Sequence, residues 1–227
     1  MNRMEPRFAH RQHGMSMLIA LVSLMVIMLA SVAMVRSVDT GTLIVGNLGF
    51  KQDATEASGI AAEQAMAWIE SNIDGNLLDY DSNDPVNWPV DKRTNGYYAS
   101  SLDKLDPTGS HTSAANKLPL IDWDGNCQGA DAASYTTCSI RPFTGTPVND
   151  NQVQWVITRL CDSVGATSSA NFCSRPIVVG TSTASDRGSL EAGGRISGAV
   201  IGPYYRVIVR ATGPRNTVSY TETILHF

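Results

Sequence analysis

Four cysteines are the most reactive groups in this chain: Cys127, Cys138, Cys161 and Cys173. They fall into two close pairs along the sequence. An even number of cysteines in an exported domain argues for disulfides. Three pairings are possible, and closure of short loops favours Cys127–Cys138 with Cys161–Cys173. Each bond would contribute roughly 3 kcal/mol by restricting the unfolded chain. A zinc site is the competing chemistry. Neither pair has C-x-x-C spacing, and His111 is the only nearby histidine. Oxygen donors form the second group. Asp79, Asp81 and Asn83 occupy the first, third and fifth positions of a run spaced like an EF-hand loop, and Asp122 with Asp124 makes a shorter set. These five residues are the calcium candidates. Asp84 and Val90 stand where that loop needs Gly and Glu, and turn-making is the competing role for all of them.

Catalytic patterns are missing from the sequence. It has no G-x-S-x-G, no H-E-x-x-H, no P-loop and no dinucleotide fingerprint. Beyond residue 14 the histidines are His111 and His226. The reading is therefore a structural protein, not an enzyme, with no cofactor and no resident metal. The formal net charge of the 227 residues is −4. Residues 1–14 carry Arg3, Arg7 and Arg11 against Glu5, so the remainder is more acidic still. Such a domain is not built to hold nucleic acid through its phosphates.

The elements that must position these groups start with a run from Met15 to Val35. It carries no charge, and its polar residues are Ser16, Ser23 and Ser31. As a helix it would be roughly 31 Å long, enough to cross a bilayer's hydrocarbon core. Arginines precede it and Arg36 closes it. That asymmetry places the N-terminus in the cytoplasm and the rest on the other side. Gly41, Gly46 and Gly49 predict a frayed or unwound stretch over 37–50. The helical period returns at about Gln52 and runs to Asn72. Ala61, Ala65, Trp68, Ile69 and Ile73 form its apolar stripe, and Glu56, Glu63 and Glu70 lie off it. Trp68 should pack against a sheet.

Residues 74–150 read as long loops with short strands. Gln152 to Thr158 alternates as a half-buried strand should. Tyr204 to Thr212 and Thr217 to Phe227 flank the turn Gly213-Pro214-Arg215-Asn216, which predicts an antiparallel hairpin. Residues 180–202 read as an exposed loop. A helix followed by strands gives an α+β fold, with a long N-terminal transmembrane helix packed on a C-terminal antiparallel sheet.

Three processing routes compete at the N-terminus. Ser31-Val32-Ala33 resembles a Sec cleavage site, though the apolar run is longer than a signal peptide's usual core of about 7–15 residues. An uncleaved anchor is the second. Cleavage after Gly14, on the near side of the apolar run, is the third. The segment Arg11-Gln12-His13-Gly14-Met15-Ser16-Met17-Leu18-Ile19 resembles the leader junction of type IV prepilins. Gly46-Asn47 and Ala61-Ala62-Glu63-Gln64-Ala65, with the closing stretch Tyr205 to Gly213, resemble PilX-type minor pilins. The likeness covers roughly the first 70 residues and the last 25.

The resemblance implies a domain plan: leader 1–14, transmembrane and filament-core helix 15–35, its continuation over 36–73 with a Gly-rich break, and an exported β-rich domain over 74–227. It implies cleavage at Gly14 and methylation at Met15 by a prepilin peptidase. Most pilins carry a Glu at the fifth mature position, where this chain has Ile19. A carboxylate in lipid is costly unless paired, and in the family it pairs with a neighbour's amine. Its absence implies a place at the filament tip. The implied function is a minor pilin of the bacterial inner membrane, and then of the filament, that primes pilus assembly and supports adhesion and twitching motility. The implied partners are major and other minor pilins, the inner-membrane assembly platform and a tip adhesin. A minor pseudopilin of type II secretion shares these features. A single-pass anchored periplasmic enzyme or binding protein is the alternative from another class.

Overall fold

The computed structural model describes residues 15–110, 115, 117–168, 170–176 and 202–226. The chain divides into two compact units, Met1–Gly49 and Phe50–Phe227. One helix, α1, runs Met15–Asn72. Helix therefore replaces the break expected over 37–50. No proline interrupts it, so no backbone donor is lost. The glycines cost about 1 kcal/mol each but leave the hydrogen-bond ladder intact. Thr40 adds a bond from its hydroxyl to the Arg36 carbonyl at 2.9 Å, and Thr42 adds one to the Asp39 carbonyl at 2.8 Å. The helix ends at Asn72, whose side-chain amide donates to the Trp68 carbonyl at 2.8 Å. Ile73 falls just past that end and is exposed, outside the stripe assigned to it.

Among the described residues five strands follow: β1 Tyr97–Tyr98, β2 Phe143–Thr144, β3 Gln152–Arg159, β4 Tyr204–Gly213 and β5 Thr217–His226. The order is β1-β3-β4-β5, and β2 also pairs with β3. The three long strands are antiparallel, as their alternation predicts. β1 runs parallel to β3, so the sheet is mixed and not wholly antiparallel. β1 and β2 share one edge of β3, and Gly96 lets them meet there. It has φ +100°, and a Cβ at this position would lie 2.6 Å from the Phe143 Cβ.

Both faces of the sheet are covered. On one face Ala57, Ala61, Ala65 and Ile69 of α1 pack against Val153, Trp155 and Ile157 of β3 and Val207 and Val209 of β4. These alanines let the helix approach the sheet closely, and the aromatic rings fill the end of the interface. Trp68 lies 5.7 Å from both Trp88 and Trp155, and 5.5 Å from Tyr97. On the other face Leu105, Ile121, Trp123 and Ile140 cover Val156 and Ile208. That second lobe is held by turns and by single bridges such as Ile121 to Ile140. The arrangement is α+β and pilin-like, with the helix first and the sheet last.

Candidate functional site

The strongest surface feature belongs to the first unit. Along residues 15–49 of α1 the large apolar side chains are exposed, from Met15 through Leu29 to Leu48. Leu, Met, Val and Ile here enter neither of the cores formed among the described residues, and the run is strongly apolar. By length and composition this helix can cross a membrane. Two of its serines are satisfied internally: Ser23 donates to the Ala20 carbonyl at 2.9 Å and Ser31 to the Ile27 carbonyl at 2.8 Å. Neither of these two hydroxyls then needs water, as a lipid or protein-helix environment requires. Apolar exposure also continues past the charges. Beyond Arg36 and Asp39, Leu43, Ile44, Val45 and Leu48 are each more than half exposed.

The residues expected at the processing junction divide at the edge of the described structure. Gly14 lies outside the described residues. Met15 opens α1 and is exposed, and Ile19 is exposed one turn later. Ser31, Val32 and Ala33 sit inside the helix, with no extended segment around them.

The cysteines pair as Cys127–Cys138 and Cys161–Cys173, and none is free. The calcium candidates are dispersed among internal partners. Asp79 forms an ion pair with Arg159. Asp81 accepts the Ala99 N–H at 2.7 Å, and burial first, then the neighbouring Asp84 charge, raises its pKa against that bond. Asn83 is exposed in a turn. Asp84 caps its own turn: hydrogen bonds from the Val86 N–H first, and then from the Asn87 side chain, hold its pKa down. Asp122 accepts the Cys127 N–H at 2.8 Å and lies 3.4 Å from Arg141. Asp124 pairs with Arg210 at 2.6 Å. Among the described residues the acidic, histidine and cysteine side chains that converge within 4.8 Å are Asp122, Cys127 and Cys138. Both of those sulfurs are already in a disulfide. Turn-making and ion pairing thus account for the carboxylates. His111 lies outside the described residues, as do 180–201 of the expected loop. His226 is exposed on β5, with its ring 5.3 Å from that of Tyr204.

One residue that sequence reasoning passed over is Arg159. It is 2% exposed, among the most enclosed large side chains of the domain. A signal existed. Val153, Trp155 and Ile157 mark the inward phase of β3, and Arg159 continues that phase. A charge on the buried phase of a strand demands dedicated partners. Comparison with known proteins finds no matching family model, no matching curated protein and no matching solved structure.

Proposed function

We propose that the chain is a minor pilin: a single-pass subunit of the bacterial inner membrane whose helix passes into a filament. A prepilin peptidase cuts after Gly14 and methylates the new amine of Met15. The helix holds the subunit in the bilayer until assembly, when neighbouring pilin helices replace lipid. The role is structural: it primes polymerisation from the filament tip and supports adhesion and twitching.

The observation that carries this reading is the length of the exposed apolar surface. From Met15 to Leu48 it spans about 50 Å at 1.5 Å per residue, against a hydrocarbon core of about 30 Å. A plain anchor needs only the first part. The remainder, past Arg36 and Asp39, requires protein to cover it, and other helices fit best. Packing in such an environment depends on shape and close approach. Ala20, Ser23, Ala30 and Ala33 are small enough to allow it. Ile19 in place of an acidic residue supports the tip position, where no further subunit needs its amine neutralised.

The test is mass spectrometry of the protein purified from membranes. An N-methylated chain beginning at Met15 is expected. A chain beginning at Met1, or one beginning after Ala33, overturns the reading.

A further inference from the structure

Three segments distant in sequence meet at Arg159. Its Nη1 donates to the Asp79 carboxylate, its Nη2 to the Gly165 carbonyl, and its Nε to the Ala99 carbonyl at 3.3 Å. Gly165 is held a second time, since its N–H donates to the Asp79 carbonyl at 2.7 Å. Gly165 lies within the loop closed by Cys161–Cys173. That loop is shaped from inside by Asn171, which accepts the Ser163 N–H at 3.0 Å and donates to the Gly165 carbonyl at 3.0 Å. The base of the loop is pinned by the Ser101 N–H to the Cys161 carbonyl at 2.9 Å.

Asp79 ends a 3-10 turn, Leu77–Asp79, in the connection that leaves α1. This connection is knit to itself. The Tyr97 hydroxyl donates to the Leu78 carbonyl, the Trp88 Nε1 to the Tyr80 carbonyl at 3.1 Å, and the Ser82 N–H to the Tyr97 carbonyl at 3.1 Å. Its outer side carries Val86, 85% exposed, and Val90, 77% exposed. Held in this way, the valine-bearing surface has one posture, and its ties to the cystine loop pass through Asp79.

The geometry points to a redox-sensitive latch in which the Cys161–Cys173 disulfide, acting through Gly165 and the positioning residue Arg159, fixes the posture of residues 77–97. A dithiol reductant opens it. One of its thiolates attacks a cystine sulfur and forms a mixed disulfide, and its second thiolate then displaces the protein sulfur. Two electrons pass to the cystine. Cys161 and Cys173 end as thiols carrying the two protons the dithiol has lost, and the dithiol ends as its own disulfide. The freed loop no longer constrains Gly165. Both bonds to Asp79 and Arg159 become optional, and the connection loosens. Cys127–Cys138 differs. It is tied through Asp122 to Ile140 in the lobe on the other face of the sheet, so opening it should loosen 120–142 instead.

Hydrogen exchange read by mass spectrometry on the full-length chain in detergent separates the two cystines. In the C161S/C173S variant, exchange over 77–97 and 162–172 should rise roughly tenfold or more while 120–142 keeps its protection. In C127S/C138S the pattern should reverse. Unchanged protection of 77–97 in C161S/C173S overturns the proposal, and so does equal loosening of 77–97 in both variants. If either variant does not fold, wild-type protein is reduced stepwise with dithiothreitol and trapped by alkylation, and the species with one open cystine is read in the same way. With both disulfides intact, R159K keeps the charge but loses the fork. It should loosen 77–97 alone, and full protection there removes Arg159 from the latch.

Discussion

The two halves of α1 share one backbone geometry and differ in what their side chains meet. Residues 50–72 bury Ala54, Ala57, Ala61, Ala65 and Ile69. Residues 15–49 carry larger apolar groups, among them Leu24, Ile27, Leu29 and Leu48, and leave them exposed. The smaller residues are inside and the larger ones outside, opposite to what a water-soluble helix would do. Burial in the second half is set by how closely a helix can approach a sheet. Apolarity in the first half has no counterpart in the cores formed among the described residues. Hydrophobicity in the sequence thus has two causes within one helix.

The contrast can be broken first where the core is densest. Ile69→Ala removes a fully enclosed side chain facing the sheet and should cost about 2–5 kcal/mol, read from chemical denaturation of the full chain in detergent. Leu29→Ala should leave the same transition unmoved. Equal losses from both would mean that the first half also has a packed partner within this chain. The second break is aimed at the membrane. Val26→Arg places a charge near the middle of the apolar run, at about 2.5–3.5 kcal/mol on an insertion scale. It should shift the protein out of the alkaline-carbonate-resistant membrane fraction, whereas Glu63→Arg, on the exposed side of the second half, should not.

Smaller effects sharpen the comparison. Ala61→Leu adds volume where the helix lies against the sheet, and should destabilise by about 1–3 kcal/mol through overpacking. The same change at Ala30 should leave thermal unfolding of the unit Phe50–Phe227 unaltered. Asp81→Asn gives the smallest effect and a sign that can be worked out. Burial raises the Asp81 pKa in the folded chain, so the fold binds the proton more tightly than the unfolded chain does. Wild type then loses stability as pH rises through that raised value, and recovers it below the ordinary carboxylate range. The amide keeps an acceptor for the Ala99 N–H. Asp81→Asn should raise the melting temperature at pH 7 by less than about 3 °C, and the gain should vanish as the pH falls below about 4.

The sequence alone set the elements that have a strong period or a local signal. β3 matches its alternating run to within a residue, and the β4–β5 hairpin turns on Pro214–Asn216, where Gly-Pro-Arg-Asn predicts a turn. The apolar run, the cysteine pairs and the alanine stripe were readable for the same reason: spacing along the chain carries them. The continuity of α1 through Gly41, Gly46 and Gly49 was not, because propensity counts a cost and the hydrogen-bond ladder decides whether it is borne.

Only the tertiary structure decided what depends on distant pairings. β1 and β2 are two residues each, too short to show any period, and exist because β3 offers them an edge. The second lobe is built from single bridges and one hydrophobic cluster, so among the described residues its turn-rich sequence forms no α-helix or long strand. The acidic residues spaced for a cation are divided among Arg159, Arg210 and backbone N–H groups, partners far from them in the chain. Arg159 itself joins residues 79, 99 and 165. A buried guanidinium must find all its acceptors at once, and in this chain folding alone brings them together.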